Sequence, residues 1–347
     1  MKKPTIKDIA RIVGVSTTTI SRYLNDSFDQ MSQDTKDRIQ SVIDELEYMP
    51  SSMARNLKTH KSGIIGFVVM DAMKSFFPLI WKGMNDVCKE NGYQLMVANS
   101  SNDRLHEKKH LKAMSEYNFE GIIVYHTGMN LDYLTDLKND GVKIMLINQG
   151  MENRTIDSVT SNNKESVQSS VDNLFQKGYE DVYLVIDESV GNHINDEKCW
   201  GFRLCSQKHS FDYDSRVIVM GSDFSPENFR TICENSQRRK TAFFCVSGIT
   251  LLKTITVLRK MEIRIPEDIG ILGFDDLEWS DTLLEGITVI KQPAYKIGSE
   301  AARLLIERIS GKQKVNDASH LTLMNTLIDR GSTLDFKNQE QGNPGFF

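Results

Sequence analysis

The chain has 347 residues, 39% apolar and 26% charged, with a net charge of −5. That composition is globular, the length exceeds one ordinary core, and no apolar run approaches the ~20 residues that span a bilayer. The acidic total counts against a general nucleic-acid binder, but the charge is uneven: Met1 to Ser62 hold 10 Lys/Arg against 8 Asp/Glu, the remainder 32 against 39. Met1-Lys2-Lys3-Pro4 opens without an apolar leader, and the five cysteines form no CxxC pair. Both features lead us to expect reduced thiols and a cytoplasmic location, with no membrane partner.

Thr5-Ile6-Lys7-Asp8 has capping-box spacing, and Ile9, Ala10, Ile12 and Val13 give the helix that follows an apolar side. Gly14-Val15 breaks it, since Gly tolerates positive φ. Ser16 then caps a second helix to about Leu24, with Ile20, Tyr23 and Leu24 placed to face inward. Two short helices joined by a Gly-containing turn form a helix-turn-helix pattern. Such a motif sets the start of its second helix on the major groove, which here offers Thr17, Thr18 and Arg22. Arg forks onto guanine, and Thr offers a hydroxyl and a methyl. Ser32 caps a third helix, roughly 33–46, whose Ile39, Val42, Ile43 and Leu46 close a three-helix core. After Pro50 a short helix is possible from Ser51 or Ser52, too short to be stable alone. It reads either as a linker or as a hinge that folds against DNA.

Beyond residue 62, strand-length apolar runs alternate with helical stretches. The runs are Ile64–Met70, Leu95–Ala98, Gly121–Tyr125, Lys143–Ile147, Val182–Ile186, Val217–Met220, Ala242–Val246, Ile269–Phe274 and Ile287–Ile290. Helices are expected near 76–91, 106–118, 164–177, 197–209, 225–239, 249–261 and 295–310. Continuous apolar strands alternating with helices predict an α/β fold of doubly wound parallel sheets. Eight or nine strands in about 280 residues fit two Rossmann-like halves. Ligands then bind at the carboxyl edges of the strands.

One rival motif stands apart. His106-Glu107-Lys108-Lys109-His110 matches HExxH, which on a helix places two zinc ligands on one face with Glu107 as general base. Against a zinc hydrolase, the intervening lysines suit a solvated helix face, and no Gly-x-x-His follows to supply a third ligand. No catalytic residue, metal site or cofactor is assigned. Cys199 and Cys205 read as packing residues.

The run TIKDIARIVGVSTTTISRYLN, then Tyr48-x-Pro50 and Ala54-Arg55-x-Leu57, resembles the LacI/GalR family of bacterial transcriptional regulators. The likeness continues through Gly201-Phe202, Ile265-Pro266-Glu267-Asp268, Gly273-Phe274-Asp275-Asp276, Lys291-Gln292-Pro293 and Arg330-Gly331-Ser332-Thr333. It implies a DNA-binding headpiece over 1–60, with a hinge helix at about 50–59, and a periplasmic-binding-protein-like core over 61–347. The core would comprise an N-subdomain, about 61–160 and 292–325, and a C-subdomain, about 161–291 and 326–340. DNA contacts would extend to Thr5, Ser16, Ser21, Asn25, Arg55, Leu57 and Lys58, with Leu57 wedged into the minor groove. The partners implied are double-stranded DNA at a pseudo-palindromic operator, a second copy of the chain, and a small-molecule effector between the subdomains.

Effector contacts carried over by position are Asp71, Phe76, Phe77, Asn148, Lys198, Ser247 and Asp275. Three positions depart from the family pattern. Lys74-Ser75 replaces Asn-Pro, Lys198 replaces Arg, and Ser247-Gly248 replaces Asn-Asp. Lys keeps the charge of Arg but loses its bidentate fork. Two lysines, with Asn148, Asn162 and Asn163 at positions where the family often has Asp, Asp and Asn, suit an anionic ligand such as a sugar acid or sugar phosphate; lysines on a solvated rim are the plainer alternative. The expected role is repression of a carbohydrate or sugar-acid utilisation operon. A core that binds a partner protein instead of a metabolite remains the alternative.

Overall fold

A computed structural model describes residues 4–24, 27–28, 31–48, 62–148, 151, 155–187, 197–221, 226–236, 239–312 and 318–337. Two compact units divide the chain, Met1–Gly63 and Ile64–Phe347.

In the first unit, helices α1 (Ile6–Val13), α2 (Thr17–Tyr23) and α3 (Gln33–Glu45) pack around Ile9, Ala10, Val13, Ile20, Ile39 and Tyr48. The Thr5 capping box forms as its spacing requires: Asp8 N donates to Thr5 Oγ1 at 3.4 Å, and Thr5 N donates to Asp8 Oδ2 at 3.0 Å. Gly14 ends α1 in the left-handed region, φ 76°, a conformation that costs a β-carbon residue energy. Arg38 ties α3 to that turn by donating to the Val13 carbonyl. One expectation fails here: Ile12 is 53% exposed. The stripe that faces α2 and α3 runs through Ile9, Ala10 and Val13, which leaves position 12 on the outer side of a helix only eight residues long.

The second unit contains two six-stranded sheets. Sheet A comprises β1 (Ile64–Val69), β2 (Gln94–Asn99), β3 (Gly121–Tyr125), β4 (Ile144–Asn148), β5 (Asp157–Ser161) and β11 (His320–Leu323), in the order β11-β5-β4-β3-β1-β2. Sheet B comprises β6 (Asp181–Asp187), β7 (Val217–Met220), β8 (Thr241–Cys245), β9 (Gly270–Phe274), β10 (Thr288–Lys291) and β12 (Thr326–Ile328), in the order β12-β10-β9-β8-β6-β7. Every pairing is parallel except β10 with β12. Helices α4 (Phe77–Glu90), α5 (Arg104–Glu116), α6 (Leu131–Asn139) and α11 (Ala294–Ile309) accompany sheet A. Helices α7 (Asn163–Gln176), α8 (Glu197–Lys208), α9 (Pro226–Ser236) and α10 (Gly248–Lys260) accompany sheet B. The chain changes sheets after β5, after β10 and between β11 and β12.

Three strands and one helix escape the periodicity rules. β5 reads Asp-Ser-Val-Thr-Ser, with one large apolar residue, yet it lies between β4 and β11. Its Ser158 hydroxyl is bonded to His320 Nδ1 at 2.9 Å. β11 and β12 are edge strands of four and three residues, half-exposed, so no apolar run marks them. α6 buries only Leu134 and Leu137, a single turn of pattern.

No helix among the described residues is long and apolar enough to cross a membrane. Helices α4 and α11 cross at two glycines. A β-carbon on Gly83 would strike the Tyr295 carbonyl oxygen, and one on Gly298 the Ile80 carbonyl oxygen. Both obstacles are backbone, which cannot rotate aside. Gly298→Val should therefore force the helices apart and cost about 3 kcal/mol, as overpacking does. An unchanged denaturant midpoint would show that the crossing is looser than it looks.

Candidate functional site

Two surfaces gather the residues singled out from sequence. In the first unit, Thr5, Ser16, Thr17, Thr18 and Arg22 are exposed and Ser21 is half-exposed. Ser16 caps α2, its Oγ accepting from Thr19 N at 3.1 Å. α2 therefore presents Thr17, Thr18 and Arg22 outward while Ile20 is buried beneath them. Tyr23 braces the helix from behind, donating to Gln40 Oε1 at 2.6 Å. Asn25, Arg55, Leu57, Lys58 and the hinge at 50–59 lie outside the described residues.

The second surface is in the core. Sheet order reverses between β1 and β3 and again between β6 and β8. Such switch points leave a crevice at the carboxyl ends of the strands. Asp71 follows β1, Asn148 ends β4, and Phe76 and Phe77 open α4, so these four belong to sheet A. Lys198 lies in the first turn of α8, Ser247 follows β8 and Asp275 follows β9, so these three belong to sheet B.

Asp275 is the centre of this region. It is buried, with φ 76°, a strained backbone for a non-glycine residue. Gln292 Nε2 donates to its Oδ1 at 2.7 Å. Burial pushes its carboxyl above the ordinary carboxylate range, while Lys198, the Gln292 bond and Lys74 pull it back. Lys198 Nζ donates to the Val246 carbonyl at 2.9 Å and sits 3.9 Å over the Phe274 ring. A lysine from each half of the core therefore acts on one buried carboxyl group. The halves also touch at the mouth of the crevice, where a β-carbon on Gly248 would fall 3.0 Å from Ser75 Oγ.

The remaining positions serve local structure as well. Asp71 Oδ1 accepts from Met73 N at 2.9 Å, closing a turn. Phe76 is buried against Tyr125, and Phe77 stacks on Phe67 at 5.9 Å. Ser247 caps α10 and reaches Asp187 Oδ2 at 3.5 Å. Asn148, the last residue of β4, is paired with Thr160 and has φ 64°. Asp187 and Gln292 were missed as site residues. Asp187 ends a strand at a switch point, a signal the sequence carries once strand order is known. Gln292 was noted only as a landmark.

Asp275 yields a pH prediction. A folded acid with a raised value keeps its proton where the unfolded chain has released it. Stability then falls as pH rises from the ordinary Asp value through the folded one. Asp275→Asn removes that decline. The melting midpoint of D275N minus that of the parent chain should grow as pH rises above about 4, the ordinary Asp value. A gap independent of pH would mean that Asp275 titrates normally.

The HExxH motif resolves differently from its sequence reading. Rather than lying on an exposed helix face, Glu107 is fully buried. It accepts from Thr127 N at 2.6 Å, Thr127 Oγ1 at 3.1 Å and Asn130 Nδ2 at 2.8 Å, pinning the turn before α6. His106 points away with its side chain 63% exposed. Among the described residues no three metal-ligating side chains converge. All five cysteines are buried, and none forms a disulfide. Burial pushes Cys88 and Cys233 up to about 11 and Cys205 and Cys245 to about 12, so none of these four is a ready nucleophile. A cavity of about 210 Å³ opens at the amino edge of sheet A beside Lys138, Lys143 and Arg308. Arg308 is engaged with Asp157 and Lys138 with the Thr155 carbonyl, and the fold places ligands at the opposite edge.

Fold and surfaces together define a helix-turn-helix unit and, in the same chain, a two-sheet unit of the periplasmic-binding type. Comparison with known proteins agrees. Residues 5–51 match the model for bacterial regulatory proteins of the lacI family, and residues 171–333 that for the periplasmic binding protein-like domain. The HTH-type transcriptional regulator KdgR of Bacillus subtilis is 32% identical over 310 residues, 88% of this chain and 91% of that protein. PtxS of Pseudomonas putida is 29% identical over 332 residues, 96% of each. Among solved structures, the lac repressor dimer bound to operator and the anti-inducer ONPF has a TM-score of 0.78 at 18% identity, covering 96% of this chain and all of that one. CelR in complex with cellobiose has 0.65 at 22%, covering 95% and 99%. The chain belongs to the lacI family of bacterial regulatory proteins. It is a DNA-binding transcriptional regulator and not an enzyme.

Proposed function

We propose that this protein is a cytoplasmic homodimeric repressor of a carbohydrate or sugar-acid operon, released or tightened by an effector held between the two halves of the core. The observation that carries the effector class is the buried Asp275 flanked by Lys74 and Lys198. A carboxylate accepts two hydroxyl hydrogen bonds, which suits a polyol. The two lysines add positive charge, which suits a carboxylate or phosphate on the same molecule. Asp71, Phe76, Phe77, Asn148 and Ser247 complete the proposed contact set at the same carboxyl edges.

Dimerisation is supported by apolar surface in need of cover. Met96 and Val97 are exposed on edge strand β2, Val219 on edge strand β7, and Ile249 and Leu252 on α10. Edge strands of this kind pair or are covered in stable proteins. Each protomer then reads one half-site through Thr17, Thr18, Ser21 and Arg22, with Thr5, Ser16 and Asn25 beside the backbone and Arg55, Leu57 and Lys58 at the operator centre.

The test has two parts. Random duplexes selected by the full-length protein should yield a palindrome. A thermal-shift panel of neutral sugars, aldonates and sugar phosphates should show stabilisation by an anionic member, because a ligand that binds only the folded state raises stability by mass action. An unstructured DNA pool would remove the dimeric reading. A shift confined to neutral sugars would remove the anionic one.

A further inference from the structure

The carboxyl edge of the crevice is joined to the three chain crossings by a run of hydrogen-bonded side chains, four of them buried. Asp275 takes its hydrogen bond from Gln292, which lies at the crossing after β10. Gln292 Oε1 is 3.2 Å from Ser161 Oγ, at the crossing after β5. Ser161 Oγ is also 2.9 Å from Asn163 Oδ1, in the first turn of α7. Asn163 Nδ2 donates to Glu197 Oε2 at 3.1 Å, next in sequence to Lys198. Asn325, at the crossing between β11 and β12, donates through Nδ2 to Asn163 Oδ1 at 3.1 Å and to Ser166 Oγ at 2.9 Å. Its backbone N donates to Asn162 Oδ1 at 2.7 Å. Ser161, Asn163, Asp275 and Gln292 are all buried.

This cluster is short of donors. The Ser161 hydroxyl has one proton and two acceptors, Asn163 Oδ1 and Gln292 Oε1. Asn325 Oδ1 is buried without a partner. A carboxamide has opposite ends, so Gln292 cannot donate to Asp275 without turning its oxygen toward Ser161. Whatever competes for Asp275 therefore changes which bond Ser161 makes, and Ser161 touches the residue that holds Asn325. Partly satisfied buried networks of this kind carry large penalties and have more than one arrangement.

We propose that Gln292 is a positioning residue that passes occupancy of the Asp275 site to all three crossings, through Ser161 and Asn163. The proposal rests on the reading of Asp275 as an effector contact, but its test needs neither effector nor operator. Amide hydrogen exchange of the full-length protein is followed at residues 158–166 and 322–328, far along the chain from the substitution. In the parent background Asp275→Ala should lower protection in both segments about tenfold, the size of one lost buried hydrogen bond. In a Gln292→Leu background, where the connection is already cut, D275A should change it less than about twofold.

Ser161→Ala breaks the same path while sparing the bond between Gln292 and Asp275. It serves as the second background if Q292L fails to fold, with the same absence of a D275A effect expected. Equal losses on D275A in parent and cut backgrounds would overturn the relay, as would no loss at the crossings in the parent. Either result would leave the operator selection and ligand panel untouched, whereas a failed panel would remove the occupant and leave only the measured coupling between Asp275 and the crossings.

Discussion

Replacing Arg22 by alanine should lower affinity for the selected operator by about 1–3 kcal/mol at each half-site, the value of one bidentate base contact. In a dimer both half-sites lose it, giving about 2–6 kcal/mol in all. The structural reason is the exposure of Arg22 on α2 above a buried Ile20, with Ser16 capping the helix and Tyr23 anchored to Gln40. The Ser16 cap and the Tyr23–Gln40 bond do not use the guanidinium, so both remain in the variant. Non-specific binding should fall only slightly, with a salt slope changed by at most about one. Titrations against the operator and a scrambled duplex at two salt concentrations check this. Equal losses on both duplexes would reassign Arg22 from base reading to phosphate contact.

Asp275→Ala should abolish the effector response and leave operator affinity without effector within about threefold, an ordinary mutational scatter. The carboxyl group is buried beside Lys198 and Lys74, so its removal deletes the acceptor that would fix a polyol. If regulation works through a coupling of about 1–3 kcal/mol, as is typical, the parent chain should show a 5- to 150-fold change in operator affinity and the variant none. The measurement is operator titration with and without whichever panel compound shifts the melting midpoint. A retained response would take Asp275 out of the site.

Much of this is legible in the sequence. The Thr5 capping box, the Ser16 and Ser32 caps, Gly14 and the apolar spacing of Ile9, Ala10, Val13, Ile20 and Ile39 are local signals, and the headpiece follows from them. The long apolar strands of both sheets are local in the same sense, because strands buried on both faces need no alternation. β5, β11 and β12 were invisible for the opposite reason. Their stability comes from ladder bonds to neighbours already in place, and from contacts such as Ser158 with His320, 162 positions apart in the chain. Ile12 was misplaced because three residues suffice to fill one side of so short a helix.

The site divides the same way. That Asp275 stands at a strand's carboxyl end is a matter of sequence order. That it is buried, strained and flanked by lysines from both halves is not, since Lys74 and Lys198 belong to different sheets. Glu107 shows the limit of motif reading: its neighbours spell a metal site, but the turn at Thr127 and Asn130 folds over it and takes both carboxylate oxygens. The sequence by itself determined the head, the strand–helix alternation and the residues available at each edge, because those depend on spacing along one element. Tertiary structure alone decided the strand order, the switch points and the path from Asp275 through Gln292 to the crossings, because hydrogen bonds between distant segments have no period to read.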